Sequence, residues 1–179
     1  MRLIASGSTP SINDVAAEAE VSRRTVYLYF PTFDQLLLDA TVGLLSQASV
    51  DGALEDTRAQ GIEQRVEAMV RALMSVSPEV ERLGRALLRL TVDPGSAGGR
   101  GREIPRRGYR RVEWIEMAVA PLREKLGPVK FRRLVSGIAM VVGWEAVVVQ
   151  RDVCNLTADE GRELSVWAAR ALVRAASSN

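Results

Sequence analysis

The sequence predicts an all-α protein. Apolar residues recur at three- and four-residue spacing from end to end, and strand-like alternation is nearly absent. The breaks between periodic runs carry Ser or Thr where a helix would begin and Gly or Pro where one would end. A chain of 179 residues can build a substantial core without disulfides. Its organisation divides into a short helical head, residues 1–47, and a larger helical body, residues 48–179.

Ser11 is placed to cap the first well-marked helix, with Asp14 completing an S-x-x-D pattern and Val15, Ala16 and Ala19 facing inward. Ser22 caps the next, which buries Val26, Tyr29 and Phe30 and ends at Pro31. Thr32 caps a third, from Phe33 to about Gln47, with Leu36, Leu37, Ala40 and Leu44 on its buried side. A polar stretch, Asp51 to Gly61, separates this from an amphipathic helix bearing Ile62, Val66, Met69, Val70, Leu73 and Met74. Pro78 interrupts, and Glu79 to Leu90 continues with Val80, Leu83 and Leu87. The glycine-rich segment "DPGSAGGRGREIP" breaks the pattern and reads as a loop. Arg107 to Lys125 resumes a helix with Val112, Ile115, Met117 and Val119, with a kink or a break at Pro121 in its interior. Gly127–Pro128 stops it, Val129 to Asp152 follows as one long apolar helix, and Thr157 caps a last helix through Ala176. Asp159 and Glu160 fall in its first turn, where the helix dipole favours acids.

Composition removes several kinds of chemistry. There is no histidine and one cysteine, Cys154, which excludes the Ser-His-Asp triad, the Cys-His pair and most zinc sites. A lone cysteine forms no internal disulfide and fits a reducing compartment. No catalytic carboxylate pair or phosphate-cradling glycine motif stands out, so neither an enzyme nor a cofactor or metal is expected. "MRLIASGS" lacks the apolar core of a leader, and "LVSGIAMVVGW" is shorter than the roughly 18 residues of a membrane span. These readings place the protein in the cytoplasm, off the membrane. The net charge of +2 is uneven, because arginine is concentrated in the middle of the chain. Met1 to Leu45 carries Arg2, Arg23 and Arg24 against Asp14, Glu18, Glu20, Asp34 and Asp39, a net of −2.

Helix, short turn and helix within Ser11 to Phe30 have the spacing of a helix-turn-helix, with Ala16 and Ala19 small enough for close approach. The run "VAAEAEVSRRTVYLYFPTFDQLLLDA" resembles the DNA-binding region of the TetR (tetracycline-repressor) family of bacterial transcription regulators. The resemblance covers roughly Pro10 to Ala40. It implies that Arg23 and Arg24 open a recognition helix and reach base edges or phosphates, that Thr25 and Tyr27 hold phosphates, and that Ser22 and Leu28 belong to the same DNA face. Ser11 offers its hydroxyl and N–H either to a phosphate or as a plain helix cap. Three features depart from the family pattern: Glu20 replaces the turn glycine, where a left-handed backbone costs a non-glycine residue about 1–2 kcal/mol, Phe33 replaces a phosphate-reaching lysine, and "MRLIAS" stands where a longer first helix is expected.

The resemblance further implies that the body binds an unidentified small-molecule effector and dimerises. Met69, Leu87, Trp114, Met117, Met140, Trp144 and Glu145 are the candidate effector contacts, the apolar ones equally readable as core. Glu145 either meets a ligand or pairs with an arginine such as Arg151 or one of the Arg106 to Arg111 cluster. Leu164, Ala168, Ala171, Leu172 and Ala175 form a narrow stripe on the last helix. With Val147 and Val148 they suit a two-fold homodimer interface or the subunit's own core. The expected function is a DNA-binding transcription regulator, a repressor of a palindromic double-stranded DNA operator released by its effector. The alternative is a dimeric ligand-binding protein of the same fold that no longer reads DNA.

Overall fold

A computed structural model describes residues 11–30, 32–92 and 109–178, which are helical throughout with no strand among them. The elements are α1 (Ile12–Glu18), α2 (Arg23–Tyr29), α3 (Phe33–Asp56), α4 (Ile62–Met74), α5 (Pro78–Val92) and α6 (Tyr109–Ala118). A 3₁₀ turn (Ala120–Leu122), α7 (Arg123–Val141), α8 (Trp144–Val148), a π turn (Val149–Val153) and α9 (Ala158–Ser177) complete the order. The chain forms two compact units, one from Met1–Leu45 with Arg82–Arg107, the other from Ser46–Glu81 with Gly108–Asn179. The glycine-rich segment, Pro31 and "MRLIAS" lie outside the described residues.

In the first unit Ala16, Val26 and Leu36 are buried together, with Ile12, Val15 and Phe30 packed against them. The turn between α1 and α2 is a Schellman closure: Val21 N–H donates to Ala16 O (3.0 Å) and Glu20 N–H to Ala17 O (3.1 Å). That closure needs a left-handed residue after the cap, and Glu20 supplies it at φ 53. The glutamate at the glycine position is therefore strained, as the family comparison of residues implied.

The second unit is built on a core from α3, α4, α6, α7, α8 and α9 in which Val66, Met69, Val70, Ile115, Val119, Ile138 and Val142 are fully enclosed. Two helix boundaries differ from the periodicity reading, at the end of α3 and at Gly143. α3 runs to Asp56, because Val50 and Leu54 face the core while the polar residues around them are only the solvent side. At Pro121 the break of the two expected outcomes is found, a 3₁₀ turn between α6 and α7. The expected long helix from Val129 breaks at Gly143 (φ 89, ψ −172) and resumes as α8 and the π turn. Gly127 (φ 67) marks the break expected at Gly-Pro, with Pro128 starting the next helical turns. Among the described residues no single helix is long and apolar enough to cross a membrane.

A ladder of charges joins α4 to α9. Arg174 and Arg170 both bond Glu63 (2.9 and 3.1 Å), Arg170 and Arg71 both bond Glu67 (2.9 Å each), and Arg71 also holds Glu163. Glu163 is held below the ordinary carboxylate range by its hydrogen bonds to Arg71, whose own ionised form those bonds reinforce. At the end of this ladder Gly61, Glu63, Gln64, Arg170 and Arg174 line a surface cleft of about 620 Å³.

Candidate nucleic-acid interface

α1 begins with a reciprocal capping box. Asp14 N–H donates to Ser11 Oγ (3.3 Å), while Ser11 N–H and Ser11 Oγ–H both donate to Asp14 Oδ2 (2.8 Å each). Those bonds hold the Asp14 carboxyl below its ordinary range, the backbone N–H contributing most. The two groups of Ser11 that suited a phosphate are thus occupied by a carboxylate on the same turn. α2 begins with Ser22, whose Oγ accepts from Thr25 N–H (3.1 Å) and lies 2.9 Å from Thr25 Oγ1. This cap fixes the first turn of α2 and the direction in which Arg23 and Arg24 leave it.

Val26 is buried and sets the inner side of α2, so Arg23, Arg24 and Tyr27 fall on the outer one. Tyr27 is 46% exposed, and neither arginine is paired among the described residues. Thr25 and Leu28 are half-buried at the edges of this face. Two free guanidinium groups and a phenol on one short capped helix suit a base edge and its flanking phosphates: Arg pairs with guanine in a fork, and Tyr donates to phosphate oxygen. Glu18 and Glu20 are exposed nearby in sequence and oppose that charge. Phe30 packs on the core of this unit; the side chains of Tyr29 and Phe33 lie outside the described residues.

The expected effector contacts are scattered. Met69 and Trp114 are core residues of the second unit, Trp144 packs against them, and Leu87 is a buried residue of the first unit. Trp114 Nε1 donates to Asp51 Oδ1 (2.8 Å), a bond no local sequence signal announces. Met117 and Met140 are exposed, at 47% and 79%. Glu145 pairs with Arg111, whose Nη1 donates to Glu145 Oε2 (2.6 Å) and to Val142 O (3.0 Å). Arg151, the other candidate partner, instead meets Glu81 (3.4 Å) and Leu156 O (3.0 Å).

Of the dimer-stripe residues, Val147 is buried in the subunit's own core and Leu172 lies against Gly137. Val148, Ala168 and Ala171 are half-buried, while Leu164 and Ala175 are exposed. Sequence reasoning missed Trp167, 64% exposed on the same helix, and the buried bond from Gln150 Nε2 to Ser165 Oγ (2.8 Å). Among the described residues no three Cys, Asp or Glu side chains gather as a metal site would require.

Residues 2–40 match the family model described as bacterial regulatory proteins, tetR family. Neither a curated protein nor a solved structure matches the chain.

Proposed function

Because this chain belongs, through residues 2–40, to the TetR family of DNA-binding transcription regulators, we propose that it is a homodimeric repressor of a palindromic operator, released by a small-molecule effector. The observation that carries the reading is the capped α2 with Arg23, Arg24 and Tyr27 on its open face. A palindrome suits a two-fold pair of such helices in successive major grooves. In this reading residues 1–47 read DNA and residues 48–179 bind the effector and dimerise, in the cytoplasm where the DNA is. Met69, Trp114 and Trp144 are the proposed effector contacts, with Glu145 acting through the Arg111 pair. An effector that binds one arrangement of the readers better than the other shifts the population away from the DNA-competent one. Regulators of this family are generally not enzymes, and the mechanism needs no turnover.

The second reading, a ligand-binding dimer that no longer reads DNA, is favoured by the Asp14 carboxylate seated on Ser11 and by the exposed Glu20. Fluorescence anisotropy with duplexes tiling the DNA upstream of the gene separates the two. The repressor reading expects tight binding to one duplex with a steep salt slope, weakened about 10- to 100-fold in Arg23→Ala/Arg24→Ala and with a shallower slope. Binding that is absent at low salt, or unchanged in that variant, overturns it.

A further inference from the structure

In the second unit α4 begins where α9 ends, and several residues at the junction are small. Gly61 precedes α4, and Ser177 and Ser178 close α9, so the two helix ends part around the cleft of about 620 Å³. A cavity of that size takes a small organic molecule. Ile62 and Val173 give it an apolar lining. Gln64 folds over Gly61 as one wall, so that a Cβ on Gly61 would stand 2.6 Å from Gln64 Oε1.

The charged lining is mostly basic. Arg170 and Arg174 border the cleft from α9, one turn apart, and Glu63 borders it from α4. Lys125 stands at the rim, where Nζ donates to Ser177 O (2.9 Å). Three cations thus surround one carboxylate, and that carboxylate is occupied: Glu63 Oε2 accepts from Arg170 Nε (3.1 Å) and Arg174 Nη1 (2.9 Å). Arg170 Nη1 donates to Glu67 (2.9 Å), an acid further along α4 that is shared with Arg71. Arg174 keeps Nε and Nη2, and Arg170 keeps Nη2, without a partner among the described residues. A guanidinium is a rigid fork of N–H donors that fits two oxygens of one phosphate or carboxylate. The bonds to Glu63 hold both forks in place, so little side-chain freedom is left to lose on binding. Charge favours phosphate of the two: three cations and one carboxylate leave two positive charges, and a phosphate monoester carries about −1.5 to −2 near neutral pH.

We propose that this cleft binds the phosphate group of a small organic molecule, held by the free donors of Arg174 and Arg170 with Lys125 at the rim. The site is separate from the core residues proposed above for the effector and from the face of α2, and it holds whether or not the chain reads DNA. Titration calorimetry of the full chain with glycerol 3-phosphate, inorganic phosphate and glycerol tests it, at low and high salt. The expected result is binding of the ester, weaker binding of inorganic phosphate, none of glycerol, and an affinity for the ester that falls several-fold as salt rises. Arg174→Ala should weaken the ester about 10-fold or more, and Arg174→Lys, which keeps the charge without the fork, should recover only part of that. Arg162→Ala, which removes the pair with Asp159 at the far end of α9, should leave it unchanged. Urea midpoints read by tryptophan fluorescence show that each variant is folded, since exposed ion pairs contribute little to stability. Failure of both phosphates to bind the parent, or undiminished binding by folded Arg174→Ala, overturns the site. Equal binding of ester and inorganic phosphate overturns the organic ligand and assigns the cleft to the free anion.

Discussion

Replacing Gly143 with alanine should cost the second unit about 2.5–6 kcal/mol, from two sources that can be separated. The backbone there, φ 89 and ψ −172, is open to glycine and strained for any residue with a Cβ, by about 1–3 kcal/mol. The new methyl would also overlap the Arg111 guanidinium and come within 3.0 Å of its Cδ and Cζ. Arg111 is not free to withdraw, because the same Nη1 holds Glu145 at 2.6 Å and Val142 O at 3.0 Å. Losing a hydrogen bond to a charged group costs about 1.5–3 kcal/mol. Trp114, Trp144 and Trp167 are the chain's three tryptophans and all lie in the second unit, so their fluorescence in a urea titration reports this unit's unfolding. The midpoint should fall with the slope unchanged. In an Arg111→Ala background the same substitution should cost only the backbone share, about 1–3 kcal/mol. A loss below about 1 kcal/mol in the parent, or an equal loss in both backgrounds, would refute the reasoning.

Ser165→Ala removes the acceptor of the Gln150 amide in a place with no access to water, and should cost about 1–3 kcal/mol in the same titration. Glu20→Gly relieves a left-handed glutamate and should raise the stability of the first unit by about 1 kcal/mol, read by the thermal melt of its helicity; a lower melting point counts against the strain argument. The same change removes a negative charge beside the DNA face and should tighten operator binding at low salt. Asp14, Glu160 and Glu163 are all held below the ordinary carboxylate range when folded, so the unfolded chain binds protons first as pH falls. Their contribution is complete above the ordinary carboxylate range and is lost below about pH 4. Urea midpoints of the second unit should be level from pH 7 to about pH 5 and drop beyond it, less so for Glu163→Gln.

Local signals were read well where the physics is local. Ser11, Ser22 and Thr157 cap the helices they were expected to cap, since a cap involves a hydroxyl and an N–H three residues on. Glu20 was legible as a strained residue because the closure of a helix demands one left-handed position whatever surrounds it. α3 was underestimated because its solvent side beyond Gln47 looks like a loop, and only the core contacts of Val50 and Leu54 show that it continues. The run from Val129 to Asp152 looked continuous because no proline interrupts it after Pro128 and its apolar residues run on past Gly143. It breaks at Gly143, where the carbonyl just before the glycine accepts from Arg111, a residue distant in sequence.

By itself, then, the sequence determined the helical class, the placement of caps and turns, and the two arginines that open α2 behind the Ser22 cap, all consequences of period, capping chemistry and the residues at one short turn. Tertiary structure alone decided which distant acids hold which bases. It matched Glu145 to Arg111 rather than Arg151, and left Met140 and Trp167 outside the core. The physical reason is that a helix with apolar residues at three- and four-residue spacing has one face that must be buried. Which of its remaining side chains meet a partner depends on neighbours that no spacing along the chain encodes.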